Sequence, residues 1–212
     1  PTVTVYPTPW NPEPRLVHIG IKAFELQTAD RPPVNLVLLI DVSGSMNDPT
    51  KLPLVRASFG MLIDKLQPTD TVAIVTYAGS SGVALPPTKA ENKAQIRAVL
   101  DGLTAGGSTA GAAGLQTAYD LAKQNFNKEG VNRILLATDG DFNVGVSAPG
   151  GVADYVAQQR SSGVFLSVLG FGMGNYQDTM MQAIAQNGNG VAAYIDSMSE
   201  ARRVLADQIT GT

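Results

Sequence analysis

Three short polar clusters hold the residues whose types and spacing suit chemistry. Asp41-Val42-Ser43-Gly44-Ser45 places a carboxylate and two hydroxyls at every second position. In an extended loop alternate side chains share one side, so residues 41, 43 and 45 can converge on a point. Gly106-Gly107-Ser108-Thr109 and Thr138-Asp139-Gly140 add further hydroxyls and a second carboxylate. Every converging atom is then an oxygen. A hard divalent cation such as Mg²⁺ takes oxygen ligands in an octahedron at ~2.1 Å and keeps several waters. Mn²⁺ or Ca²⁺ are the expected substitutes, whereas zinc favours nitrogen and sulfur. Two carboxylates offset a divalent ion only formally, and where either acts through water the direct shell is mostly neutral. The metal stays electrophilic and can accept an external carboxylate, so the expected chemistry is recognition of a protein partner that presents Asp or Glu.

Other chemistries find little support. The 212 residues include one histidine and no cysteine, which removes disulfides, thiolate catalysis and zinc-thiolate sites. His18 lies in an alternating stretch read as a half-exposed strand, so it is expected at the surface and not in a Ser-His-Asp triad. Val42 and Met46 flank Ser43-Gly44-Ser45 where a nucleophile elbow needs glycines. The Asp41 loop has no Asp-x-Asp and no lysine close by, unlike a phosphotransfer site. Gly170-Phe171-Gly172-Met173-Gly174-Asn175 lacks the last glycine of a dinucleotide motif and reads as a tight turn. A net charge of −3 with interleaved signs argues against nucleic acid as a partner. No apolar run approaches the ~20 residues that span a bilayer, so this segment is not expected to insert into a membrane. The chain opens at Pro1 without a methionine and is expected to be an excised or processed fragment. Oligomeric state is left open.

The elements that position these clusters follow from periodicity. Residues 35–40 read as a continuous apolar run, as expected for a strand buried on both faces of a parallel sheet, and 133–138 as a further buried strand. Residues 71–77, 164–170 and 191–195 read as further strands, and 83–85 as a short antiparallel edge. Helical spacing appears at Val55, Phe59, Leu62, Ile63 and Leu66, then at Ile96, Val99, Leu100 and Leu103 after a capping-box pattern, Thr88-Lys89-Ala90-Glu91. Leu115, Tyr119, Ala122 and Phe126 mark a third helix. A fourth begins near Pro149, a fifth covers 177–186, and a last helix over 199–209 is capped by Ser197 with Glu200. Strands alternating with helices predict an α/β fold with a doubly wound, mostly parallel sheet and helices on both faces. Residues 1–33 are expected to form a proline-spaced arm (Pro7, Pro9, Pro12, Pro14) and an extra strand to about Gln27, packed on a domain over 34–212. The polar clusters fall on loops at strand ends, where ligands bind in such sheets.

Asp41-x-Ser43-x-Ser45, with Thr109 and Asp139, resembles the metal-ion-dependent adhesion site of von Willebrand A and integrin I domains. The resemblance runs from about residue 35 to 209. It implies a Rossmann-like fold, one bound Mg²⁺ and the ligand set Asp41, Ser43, Ser45, Thr109 and Asp139. In that family the hydroxyls contact the metal directly or through water, and the aspartates often act through water. The threonine loop departs from the usual Gly-Gly-Thr by inserting Ser108, which makes Ser108 the alternative to Thr109. The segments 38–46, 136–145 and 168–176, with Trp10-Asn11-Pro12-Glu13, are similar to a bacterial branch of cell-envelope proteins. That similarity implies an envelope location, periplasmic or membrane-anchored, with a cytoplasmic one as the alternative.

Plainer roles exist for the same residues. Asp139-Gly140 can be a turn, Ser108 and Thr109 helix caps, and Asp48 and Asp141 solvated loop acids or a second ion's ligands. Met46, Asn47, residues 79–82, Phe142 and Asn143 are the expected rim of the partner footprint. The reading is a binding module without turnover. Its competitors are a Mg²⁺-dependent hydrolase or phosphotransferase, and a structural domain whose metal only ties loops together.

Overall fold

The computed structural model describes residues 2–20, 31–108, 111–140, 151–172 and 178–210. They form two units, Pro1–Arg31 and Pro32–Thr212. The first holds an antiparallel hairpin of β1 (Thr2–Thr8) and β2 (Asn11–Gly20). The proline-spaced arm is therefore strand for most of its length. Its ladder becomes irregular between Pro7 and Thr8, where a missing N–H interrupts pairing, and Pro9 lies in the turn. His18 is exposed on β2 opposite Thr4, and residues 21–30 lie outside the described set.

The second unit is a six-stranded sheet in the order β5-β4-β3-β6-β7-β8, with ranges Val34–Asp41 (β3), Thr71–Tyr77 (β4), Ser81–Lys89 (β5), Val131–Thr138 (β6), Val164–Phe171 (β7) and Ala192–Ile195 (β8). All neighbours run parallel except β4 and β5. Every residue of β3 is buried, because alternate side chains enter two separate cores. Leu36, Leu38 and Ile40 pack with α1 (Leu52–Asp64), α2 (Lys93–Asp101) and α6 (Met198–Thr210). Val37 and Leu39 pack with α3 (Gly111–Gln124), α4 (Gly151–Gln159) and α5 (Asp178–Asn187). Each fully buried aliphatic or aromatic side chain stabilises this arrangement by about 1.5–3 kcal/mol. The expected α/β class and doubly wound sheet are what the chain forms.

Two local expectations need correction. The edge strand is longer than residues 83–85, since β5 runs to Lys89 across an irregular ladder around Pro86 and Pro87. The capping box at Thr88 does not form: Thr88 is still strand, and its hydroxyl donates to the Pro86 carbonyl at 2.7 Å. A 3-10 turn, Ala90–Asn92, leads into α2 without a side-chain cap. The cap on α6 does form, with Glu200 N–H donating to Ser197 Oγ at 3.3 Å.

Strand order fixes where a ligand can sit. From β3 the chain moves to β4 and β5 on one side, and from β6 to β7 and β8 on the other. The reversal lies between β3 and β6, and the crevice beyond their carboxyl ends is where such sheets bind ligands. At the opposite end a buried amide network closes the sheet. Asn35 Nδ2 donates to Ala122 O and Asn132 Oδ1, both at 3.0 Å, and Asn125 Nδ2 donates to Asn35 Oδ1 at 3.1 Å.

Candidate metal centre

Asp41 ends β3 at the reversal point, its side chain on the α3 side of the sheet. The loop folds back at once. Ser43 N–H donates to Asp41 Oδ1 at 2.8 Å, and the Ser43 and Ser45 hydroxyls lie 3.1 Å apart. The alternation of residues 41, 43 and 45 thus brings their oxygens together, as the spacing predicts. Asp41 and Ser43 are buried and Ser45 is exposed, so the cluster opens to solvent at one side. The second carboxylate oxygen, Asp41 Oδ2, is buried and accepts no hydrogen bond. Such an oxygen is costly unless something else satisfies it. Burial is the main force on this carboxyl, raising its pKa above the ordinary 3.8, and the charge of Asp139 adds to the rise.

Asp139 follows β6, the strand beside β3, and is 8% exposed. Gly140 N–H donates to the Thr138 hydroxyl at 3.2 Å, and Gly140 has φ +98°, a left-handed conformation that glycine adopts without strain. Asp139 Oδ2 accepts from Lys51 Nζ at 2.9 Å, and the same ammonium donates to the Ser45 carbonyl at 2.9 Å. The Tyr77 hydroxyl approaches Asp41 and Thr138 from the end of β4, and burial raises its pKa well above the usual phenol range.

The third loop is held by backbone bonds. Gly106 N–H donates to Val42 O at 2.7 Å, and Gly44 N–H to Gly107 O at 2.9 Å. Ser108 is exposed beside Gly79, where an added Cβ would lie 3.3 Å from Ser108 Oγ. Thr109, Asp141, Phe142 and Asn143 lie outside the described residues. The structure therefore brings together Asp41, Ser43, Ser45 and Asp139 of the expected ligand set.

The donors fit a hard cation: two carboxylates, one of which has a buried oxygen without a partner, and two serine hydroxyls. Among the described residues no group of three His, Cys, Asp or Glu could hold a metal, so a metal here must lean on hydroxyls. Two expectations change. Met46 is not on the rim: the 3-10 turn Gly44–Met46 carries its side chain into the core at 0% exposure. Asp48 is an exposed loop acid, as expected, and it closes a local turn by accepting from the Thr50 N–H at 2.8 Å and the Thr50 hydroxyl at 2.6 Å. A lysine does stand near the Asp41 loop, because Lys51 reaches back to it from the start of α1. Lys51 and Tyr77 are the site residues that sequence reasoning missed; neither carries a spacing signal, and only the fold brings them in.

A family model for the von Willebrand factor type A domain matches residues 36–141. YfbK, an uncharacterised protein of Escherichia coli strain K12, is 48% identical over 203 residues, covering 96% of this chain and 35% of its own length. The chain thus spans about a third of that relative. An aerotolerance-related membrane protein from Bacteroides fragilis has a similar structure, with TM-score 0.69, 22% identity and coverage of 84% of this chain and 100% of that one. Proximal thread matrix protein 1 of the mussel byssus, solved with a zinc-occupied MIDAS motif, gives TM-score 0.65 and 20% identity over 85% of this chain and 46% of its own. Among the described residues no helix is long and apolar enough to cross a membrane.

Proposed function

The chain belongs to the von Willebrand factor type A family, and from that premise we propose that it is a binding module that holds one divalent ion, Mg²⁺ by preference, and uses it to take a carboxylate from a protein partner. The observation that carries the proposal is Asp41 Oδ2, a buried carboxylate oxygen without a hydrogen bond, set beside two serine hydroxyls and Asp139. Asp41, Ser43, Ser45 and Asp139, with Thr109 from the third loop, would hold the ion. The bound ion supplies an electrophilic centre for an anionic ligand. The chain's own residues do the rest: the Ser43 N–H fixes one Asp41 oxygen, the sheet ends hold the loops, and the exposed Ser45 side admits the partner. The chain has no cysteine, so a thiolate nucleophile plays no part here. The byssus protein solved with a zinc-occupied MIDAS motif shows that a domain of similar fold can hold a divalent ion, which supports the reading.

The test is a melt with and without Mg²⁺ or Mn²⁺. A ligand bound only to the folded state raises its stability by mass action. A rise in wild type that Asp41→Ala abolishes supports the reading, and no rise at saturating metal counts against it. Generic phosphatase substrates, offered with metal, separate a module from a hydrolase. The envelope location is part of the same proposal, and fractionation of cells that express the full-length protein tests it.

A further inference from the structure

We propose that Lys51 is a built-in counter-charge of the metal centre: it positions Asp139 and leaves the metal-loaded site with one positive charge over, which tunes it for an anionic ligand. The inference rests on the metal-binding reading above and concerns a residue outside the expected ligand set.

Lys51 is the last residue before α1, and its side chain does not trail into solvent. Its ammonium bridges the two metal loops, 2.9 Å from the Ser45 carbonyl on one and 2.9 Å from Asp139 Oδ2 on the other. The side chain is 23% exposed and that of Asp139 3%. The stem is held as well. It lies across Gly172 at the end of β7, where an added Cβ would stand 2.9 Å from both Lys51 Cγ and Cε. Gly172 has φ +97°, so the floor under the lysine is a backbone shape that glycine adopts without strain and that leaves space for the stem. A lysine stretched over a bare backbone, with its ammonium bonded to two loops, is a placed charge.

The consequence is electrostatic. Two carboxylates alone would offset a divalent ion and leave the site neutral. The Lys51 ammonium restores one positive charge, in a partly buried position where charges act more strongly than in water. Lys51 therefore weakens metal binding by itself and strengthens binding of an anion to the metal-loaded site. The two effects have opposite signs, which a purely structural lysine would not produce.

The experiment titrates Mn²⁺ calorimetrically into wild type, Lys51→Met and Lys51→Arg, in acetate and in chloride at equal ionic strength. Acetate is the carboxylate probe, and by linkage its effect on metal affinity equals the metal's effect on acetate affinity. Lys51→Met should bind Mn²⁺ about tenfold more tightly in chloride and lose most of the acetate enhancement. Lys51→Arg keeps the charge and should keep the enhancement. Lys51→Gln, which retains a donor for the Ser45 carbonyl, replaces the methionine variant if that one does not fold. Wild-type affinity and acetate enhancement persisting in the neutral variants would overturn the role of Lys51 while the metal reading stands. Weaker metal binding in the neutral variants would also overturn it, leaving only a part in holding Asp139. If neither wild type nor any variant binds Mn²⁺, the metal reading falls and this role with it.

Discussion

Asp41 and Tyr77 are register partners across β3 and β4, so a buried carboxyl and a buried phenol stand side by side at the end of the sheet. Both belong to the layer that packs on α3, and both have pKa values raised chiefly by burial. Burial of the Asp41 carboxyl makes the metal-free site a weak point at the end of the sheet.

That weakness has a pH signature. The folded-state pKa of Asp41 lies above its ordinary 3.8, so folding favours the protonated carboxyl. Below the ordinary value the group costs nothing, and the cost grows as pH rises through the folded value. Asp41→Asn should therefore raise the midpoint of the metal-free domain at neutral pH, by about 2–4 °C for each kcal/mol relieved. The gain should shrink on acidification. Melts across the acidic range in a chelator check this, and a lower midpoint at neutral pH contradicts it.

Ser43→Ala separates metal binding from folding. The backbone bond from Ser43 N–H to Asp41 Oδ1 survives the change, while the hydroxyl that acts on Asp41 and Ser45 is lost. The stability of the metal-free domain should stay within about 1 kcal/mol of wild type, and the stabilisation by Mg²⁺ should largely disappear. An undiminished Mg²⁺ effect would remove Ser43 from the ligand set.

Gly114→Ala tests the support behind the site. A Cβ there would lie 2.8 Å from Tyr77 Cβ and 3.1 Å from its Cγ, closer than packing allows. Overpacking of this kind costs about 1–3 kcal/mol. Because the displaced residue is the neighbour of Asp41, metal affinity should fall along with stability. Calorimetry on the folded variant distinguishes this from a loss of stability alone.

Asn35→Ala is the control at the far end of the sheet. It strips partners from the Ala122 carbonyl and from Asn125 Nδ2, and should cost about 1–3 kcal/mol. Metal affinity should not change. A parallel loss of affinity would mean that site variants are reporting global stability.

The contrast between these positions shows what the sequence discloses. Strands such as β3 and β6 are legible because burial on both faces leaves an apolar stretch at their centres, residues 36–40 and 134–137. The oxygens of residues 41, 43 and 45 are legible because an alternating loop leaves their convergence little choice. The hairpin of β1 and β2 is hidden by its prolines, and the outer part of β5 by Pro86, Pro87 and by exposure. Met46 misleads because a polar loop surrounds it in sequence while a 3-10 turn buries it in space. Lys51 and Tyr77 join the site through contacts between loops and strands that no local pattern records. For Ala201, Val204 and Leu205 of α6, helical spacing alone identifies the buried face.

The two prolines of β5 have a bearing on how copies of this protein behave when crowded. They sit in the outermost strand of the sheet, where neither can offer an N–H to an incoming strand. The opposite margin, β8, is four residues long. Sheets fuse edge to edge when a long, regular margin is left bare, and neither margin here is of that kind. The six-stranded sheet would therefore offer crowded molecules little backbone path to edge-to-edge fusion.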